Sequence, residues 1–183
     1  MKKLAVFFPG IGYTNDKPLL YYSRKIAKAK GFEELCIEYQ DMPKKVMGDP
    51  EMMKEAFEKA YKQVEEQLNR VDFSSYEDVL FVGKSIGTVA ASQYAKRNKV
   101  KARMVLYTPL KETFSVKIED AIAFIGTKDP WSVVTNLVID ASEQNIPLMQ
   151  YPECNHSLES GNVSADLMTL MAVMNKTEEY MSR

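Results

Sequence analysis

One short segment limits this chain more than any other: Gly83-Lys84-Ser85-Ile86-Gly87, set between the apolar run Val79-Leu80-Phe81-Val82 and a stretch of small helix formers from Thr88 to Ala95. The apolar run reads as a buried strand and the later stretch as a helix, so Ser85 stands on the turn between them. A chain that turns this sharply strains its turn residue and needs small neighbours on both sides, which Gly83 and Gly87 supply. The plainer alternative is an ordinary glycine turn with an exposed serine. Gly83-Lys84-Ser85 also ends like a phosphate-binding loop. That motif needs a glycine where this chain has Asp78, and residues 79–82 are strand where it needs loop.

A serine hydroxyl becomes a useful nucleophile only when a base takes its proton, and near neutral pH that base is nearly always histidine. His156 is the only histidine in the chain. It follows Ile146-Pro147-Leu148-Met149-Gln150-Tyr151, which reads as a short strand, and the loop Pro152-Glu153-Cys154-Asn155. A lone histidine is more often a surface or satisfied polar residue, but this one stands at a strand's carboxyl end. The base in turn needs a carboxylate to fix its tautomer. Asp129 closes the buried run Ala121 to Gly126 through Thr127-Lys128, and Pro130 is read as starting a helix through Glu143. Asp129 fits equally the common role of helix cap. Asp120 precedes that strand, Asp140 falls inside the next helix, and Glu112, in the loop after the preceding strand, is the one serious rival.

Serine, then acid, then histidine, each after a strand, with Gly-x-Ser-x-Gly at 83–87: in this the chain resembles the α/β-hydrolase fold superfamily over nearly its whole length. The resemblance implies that Ser85, Asp129 and His156 form a catalytic triad on a nucleophile elbow. It also implies two backbone N–H donors for an oxyanion, from Ile86 and from the loop Pro9-Gly10-Ile11-Gly12-Tyr13, where Ile11 is the expected donor and Gly12 its neighbour. Proline at position 9 departs from the histidine that many members carry before the glycine. The implied activity is hydrolysis of acyl esters or thioesters. Acyl transfer through the same residues and a catalytically silent binding protein are the alternatives.

The rest of the sequence agrees with alternating strands and helices. Residues 3–8 and 34–39 read as the first two strands and 102–107 as the fourth. Asp16 is placed to cap a helix running to about Lys30, with Gly31 as its stop. Asp49 and Pro50 open a long helix with Met53, Phe57, Ala60, Val64 and Leu68 at helical spacing. A last helix spans Val163 to about Tyr180. The expected fold class is α/β: a three-layer sandwich with a mainly parallel six-stranded sheet in order 2-1-3-4-5-6, lacking the two antiparallel strands that open larger members. Met168, Met171 and Met174, at helical spacing, read as core packing.

At 183 residues, 45% hydrophobic and 27% charged, residues 1–183 are expected to form a single domain without a cap or lid. The formal net charge is −1 with scattered Lys and Arg, which favours neither nucleic acid nor an anionic membrane. Lys2 and Lys3 before Leu4 to Phe8 mimic the start of a secretion signal, but Pro9 and Gly10 end the run too soon, so a cytoplasmic location is expected. Cys36 and Cys154 do not make a disulfide framework, and Cys154 reads as a small buried residue. One histidine and two separated cysteines offer no metal cluster, and no cofactor is expected.

Only residues 108–120 connect the fourth strand to the fifth, where lidded relatives carry an insertion, so an open, shallow site is expected. Such a site suits small soluble esters or thioesters. Tyr13, Leu110, Phe114 and Trp131 are candidates for its acyl or alcohol pocket, each equally a candidate for partial core. Lys84, beside the serine, either favours an anionic substrate or points into solvent.

Overall fold

The computed structural model describes residues 2–183. Its strands are β1 (Lys3–Phe8), β2 (Phe32–Cys36), β3 (Asp78–Lys84), β4 (Arg103–Tyr107), β5 (Ala121–Gly126) and β6 (Leu148–Tyr151). The helices are α1 (Pro18–Ala29), α2 (Pro50–Leu68), α3 (Ile86–Asn98), α4 (Val134–Glu143) and α5 (Val163–Met181). All strands are parallel, in the order β2-β1-β3-β4-β5-β6, which is the order expected from the sequence. The chain leaves β1 toward one edge and returns at β3 toward the other, so the switch point lies between β1 and β3, where sites in such sheets collect at the carboxyl ends.

Parallel strands covered on both faces are apolar throughout, and alternation divides them between two cores. Leu4, Val6, Phe8, Phe81, Leu106 and Ile125 face α2, α3 and α4. Ala5, Phe7, Val82, Val105, Tyr107 and Phe124 face α1 and α5. The second core carries a satisfied polar thread, because the Tyr107 hydroxyl bonds both Ser23 Oγ and Thr177 Oγ1 at 2.7 Å. At the opposite end of the sheet Arg103 grips Asp78 at 2.7 Å and the Tyr180 carbonyl at 2.8 Å, and the Tyr180 hydroxyl donates to Asp120 at 2.9 Å. Asp120 thus fastens α5, at the end of the sheet away from Ser85.

Several boundaries differ from the sequence reading. Strand β2 covers Phe32–Cys36 and not 34–39, because it pairs with β1 from Lys3↔Phe32 to Phe7↔Cys36. Asp16 caps nothing: Lys17 is the N-cap residue of α1, without a side-chain bond, and Pro18 sets the first turn. Asp49 does cap α2, accepting from Glu51 and Met52 N–H. Residues 131–133 are not helical, since Asp129 Oδ1 accepts from Trp131 N–H at 2.9 Å and holds a turn before α4. Met174 is buried, but Met168 and Met171 are 63% and 61% exposed, because α5 meets the core mainly through its carboxyl-terminal half. Among the described residues no helix is long and apolar enough to cross a membrane.

Candidate active site

Ser85 follows the last residue of β3 and precedes the first of α3, at φ 56° and ψ −125°. That left-handed region is costly for a residue with a side chain, about 1–3 kcal/mol, and persists only where the surroundings enforce it. Here Ser85 N–H donates to the Tyr107 carbonyl at 3.0 Å, and its own carbonyl accepts from Thr88 N–H at 2.8 Å and Thr88 Oγ1 at 2.7 Å. The glycines matter because nothing else fits. A Cβ on Gly83 would meet Thr88 Cα at 2.8 Å, and one on Gly87 would lie 2.6 Å from the Pro9 carbonyl oxygen and closer still to that of Phe8.

His156 Nε2 lies 2.8 Å from Ser85 Oγ, and its Nδ1 lies 2.7 Å from Asp129 Oδ2. An ionised carboxylate only accepts, so Nδ1 carries the proton and Nε2 is free to accept from the serine hydroxyl. Asp129 is the partner; Glu112 is exposed on a 3₁₀ turn, and Asp140 sits within α4. The Asp129 side chain is fully buried, while His156 keeps 16% exposure. The histidine loop is pinned on both sides. Asn155 Oδ1 accepts from Ser157 N–H at 2.7 Å, and Leu158, 3% exposed, plugs the α1/α5 core. The Trp131 ring stacks on the imidazole at 5.3 Å between centroids.

Burial lowers the His156 pKa below its usual 6.5. The bond to Asp129 opposes the shift, and the positive charge of Lys84 adds to it. Lys84 neither points into solvent nor reaches the cleft: at 1% exposure it is enclosed on the α1/α5 side of β3, with Nζ 4.9 Å from the Tyr13 ring centroid. Desolvation pulls its pKa down to about 7, against the attraction of Asp129. Tyr13 is fixed by accepting from Leu19 N–H at 3.1 Å, and burial raises its phenol to about 12. Tyr13 therefore roofs Lys84 and borders a second, smaller cleft with Leu158 and Leu167.

The loop before α1 comes within contact of the elbow. Gly10 and Tyr13 close a tight turn with N–H···O bonds of 3.0 and 3.3 Å, leaving Ile11 and Gly12 at its tip. A Cβ on Gly10 would stand 3.3 Å from Ser85 Cβ. Gly12 takes φ 72°, a conformation glycine adopts without strain. Ile86, as the first residue of α3, has an N–H with no partner inside the helix.

Beside Ser85 runs a cleft of about 640 Å³ lined by Ile86, Val89, Leu110 and Trp131 and walled by Met53 and Phe57. The β2–α2 connection and α2 supply one of its walls, with Leu110 and Glu112 from the β4–β5 connection also lining it. Phe114 is not part of it: at 8% exposure it packs in the α2/α3/α4 core, and its carbonyl accepts from Gln144. Cys154 is 2% exposed with its thiol pKa pushed up by burial, which suits a packing residue. Among the described residues no cluster of His, Cys, Asp or Glu could hold a metal ion.

Two features escaped the sequence reading. Gly126, at the end of β5, lies against the Cys154 and Asn155 carbonyls with no room for a Cβ. Thr88 Oγ1 bonds Thr113 Oγ1 at 2.6 Å, tying the first turn of α3 to the β4–β5 connection. Gly126 carried a faint signal, a glycine closing an apolar strand just before the acid.

Solved structures align with nearly all of the chain. A dienelactone hydrolase from Anabaena variabilis matches at a TM-score of 0.65 and 17% identity, covering 98% of this chain and 85% of its own. An alpha-beta serine hydrolase homologue from Coxiella burnetii matches at 0.64 and 13%, covering 100% and 84%. This is the α/β-hydrolase fold. A Xanthomonas campestris α/β serine hydrolase described as lacking a lid also matches, at 0.58 and 9%, covering 95% and 81%. No protein-family model and no curated protein sequence matches the chain. In this α/β-hydrolase fold, Ser85, Asp129 and His156 come from the carboxyl ends of β3, β5 and β6.

Proposed function

We propose that this protein is a serine hydrolase cleaving acyl esters or thioesters. The observation that carries the reading is the unbroken relay Asp129 Oδ2, His156 Nδ1, His156 Nε2, Ser85 Oγ, with steps of 2.7 and 2.8 Å, built on an elbow that holds Ser85 at φ 56°.

In this reading Ser85 Oγ attacks the acyl carbon as its proton passes to His156 Nε2. The Ile86 and Ile11 N–H groups take the oxyanion, and the imidazolium gives the proton to the leaving oxygen or sulfur as its bond to carbon breaks. Water, deprotonated by His156, then attacks the acyl carbon, and the imidazolium returns that proton to Ser85 Oγ as the ester bond to Ser85 breaks and the acid leaves. Asp129 holds the tautomer and balances the imidazolium charge. No residue in the scheme calls for a metal or cofactor, and the 108–120 connection leaves Ser85 reachable without a lid.

The test is labelling by a fluorophosphonate probe with the adduct located by mass spectrometry. Labelling at Ser85 that is lost in Ser85→Ala and His156→Ala, together with turnover of p-nitrophenyl esters, supports the reading. Folded wild-type protein that neither labels nor turns over these esters rejects it in favour of a silent binding protein.

A further inference from the structure

Helix α3 presents more than Ser85. Ile86, Val89, Gln93 and Arg97 recur at helical spacings of three and four, so they form one stripe, and all four line the cleft beside the nucleophile. The stripe changes character along its length. Ile86 and Val89 are 2% and 4% exposed and face the apolar side chains of Met53 and Phe57 on α2. Farther out, Gln93 bonds Ser115 Oγ at 3.0 Å, and Arg97 lies over the Tyr61 ring at 4.4 Å. Lys54 and Glu112 also stand on the walls, but a trough that is apolar at Ile86, next to the nucleophile, and polar at Gln93 and Arg97 measures length.

Resting on the serine-hydrolase reading above, we propose that this trough holds the acyl part of the substrate and selects unbranched chains of about six to ten carbons. From Ile86 to Gln93 the helix rises about 10 Å at roughly 1.5 Å per residue. An extended chain advances about 1.2 Å per bond, a third of an extended residue, so about eight bonds fill the apolar span. The acyl and leaving groups are told apart by the relay. The acyl carbon stays bonded to Ser85, where α3 and the trough begin, whereas the leaving atom takes its proton from His156 and departs on the side of the histidine loop. Half-buried Met53, on the rim of the opposite wall, adapts to a flexible chain as methionines do. Longer chains would push apolar carbon past Gln93 and Arg97 into water.

The experiment compares two ester series with the purified protein: p-nitrophenyl esters of increasing acyl length, and alkyl acetates of increasing alcohol length. Each buried methylene is worth up to about a fourfold gain, so kcat/KM is expected to rise roughly ten- to hundredfold from butyrate to octanoate and to fall again by hexadecanoate. Met53→Trp and Val89→Phe, which fill the trough from opposite walls, are each expected to cut the octanoate-to-butyrate ratio by about tenfold or more. A flat acyl series, a gain confined to the alcohol series, or a ratio unmoved by both variants overturns the assignment. Absence of any Ser85-dependent hydrolysis or labelling rejects instead the reading on which it rests.

Discussion

Gly126 at the end of β5 packs against the carbonyl oxygens of Cys154 and Asn155, so that the strand leading to Asp129 and the loop carrying His156 meet backbone to backbone, with Glu153 N–H also donating to Thr127 Oγ1 at 3.0 Å. Lys128 N–H to the Cys154 carbonyl at 3.0 Å and Thr127 N–H to the Tyr151 carbonyl at 2.9 Å complete the seam. A methyl on Gly126 would lie 2.6 Å from the Asn155 oxygen, so the histidine loop must move. Gly126→Ala is expected to lower kcat by about a hundredfold, the cost of roughly 1 Å of misplacement, and to destabilise the fold by about 1–3 kcal/mol. Ester kinetics and a thermal melt check both.

The Asp129 carboxylate has two jobs on separate oxygens: Oδ2 bonds His156, and Oδ1 holds Trp131 N–H. Asp129→Asn keeps an acceptor for the turn but puts a neutral group opposite Nδ1, and Asp129→Ala removes both. Both variants are expected to lose about 10³–10⁴ in kcat. Asn should retain about 1 kcal/mol of stability over Ala, the usual worth of such a cap. Equal melting temperatures for the two would show that the Trp131 bond contributes nothing.

In the proposed mechanism His156 serves as the base only when neutral, and burial holds its pKa below 6.5. Activity should therefore rise with pH along an acid limb centred below 6.5. The same shift makes a stability slope. The unfolded histidine binds a proton near 6.5 while the folded one resists until lower pH, so stability falls as pH drops through that window. A kcat/KM profile with its midpoint above 6.5 would contradict this environment for His156.

Much of this site was legible because its signals are local. Gly83, Ser85 and Gly87 report a turn that no bulkier residues could make, and short apolar runs between turn residues mark parallel strands wherever they fall. The misreadings came from side chains whose surroundings are set by distant parts of the chain. Lys84 has a charge that argues for solvent, but its place on β3 beside Val82 points it inward beneath Tyr13, which arrives from another loop. Phe114 follows Leu110 on one short turn, yet the turn sends Leu110 to the cleft and Phe114 to the core. Met168 and Met171 have core spacing, but the buried residues of α5 begin at Val173, so its first half turns these two methionines outward. The non-helical residues after Pro130 reflect a carboxylate spent on the turn.

Lys84 carries a charge that its buried place disfavours. Its pKa near 7 against an ordinary 10.5 means that folding disfavours the protonated form. Stability should climb as pH rises from about 7 toward 10.5, where the unfolded chain still holds the proton, and the full penalty applies below 7. Lys84→Met keeps the length and the contact with Tyr13 while removing the charge. It is expected to raise stability at pH 7 on the order of 3 kcal/mol and to abolish the alkaline slope. With that positive charge gone the His156 pKa should rise, moving the acid limb of activity to higher pH. Denaturant melts from pH 6 to 10 and a pH–rate profile test the two effects together.

Ser85 stores strain that only its own backbone can release. At φ 56° and ψ −125° a Cβ is the source of the cost, and alanine keeps that Cβ while glycine removes it. Ser85→Ala should therefore leave stability nearly unchanged, and Ser85→Gly should exceed it by about 1 kcal/mol even though glycine gives the unfolded chain more freedom to lose. Both should be inactive. Denaturant melts of the two variants against wild type decide it: a glycine variant less stable than the alanine one would mean that the hydrogen bonds to Tyr107 and Thr88 leave the elbow unstrained.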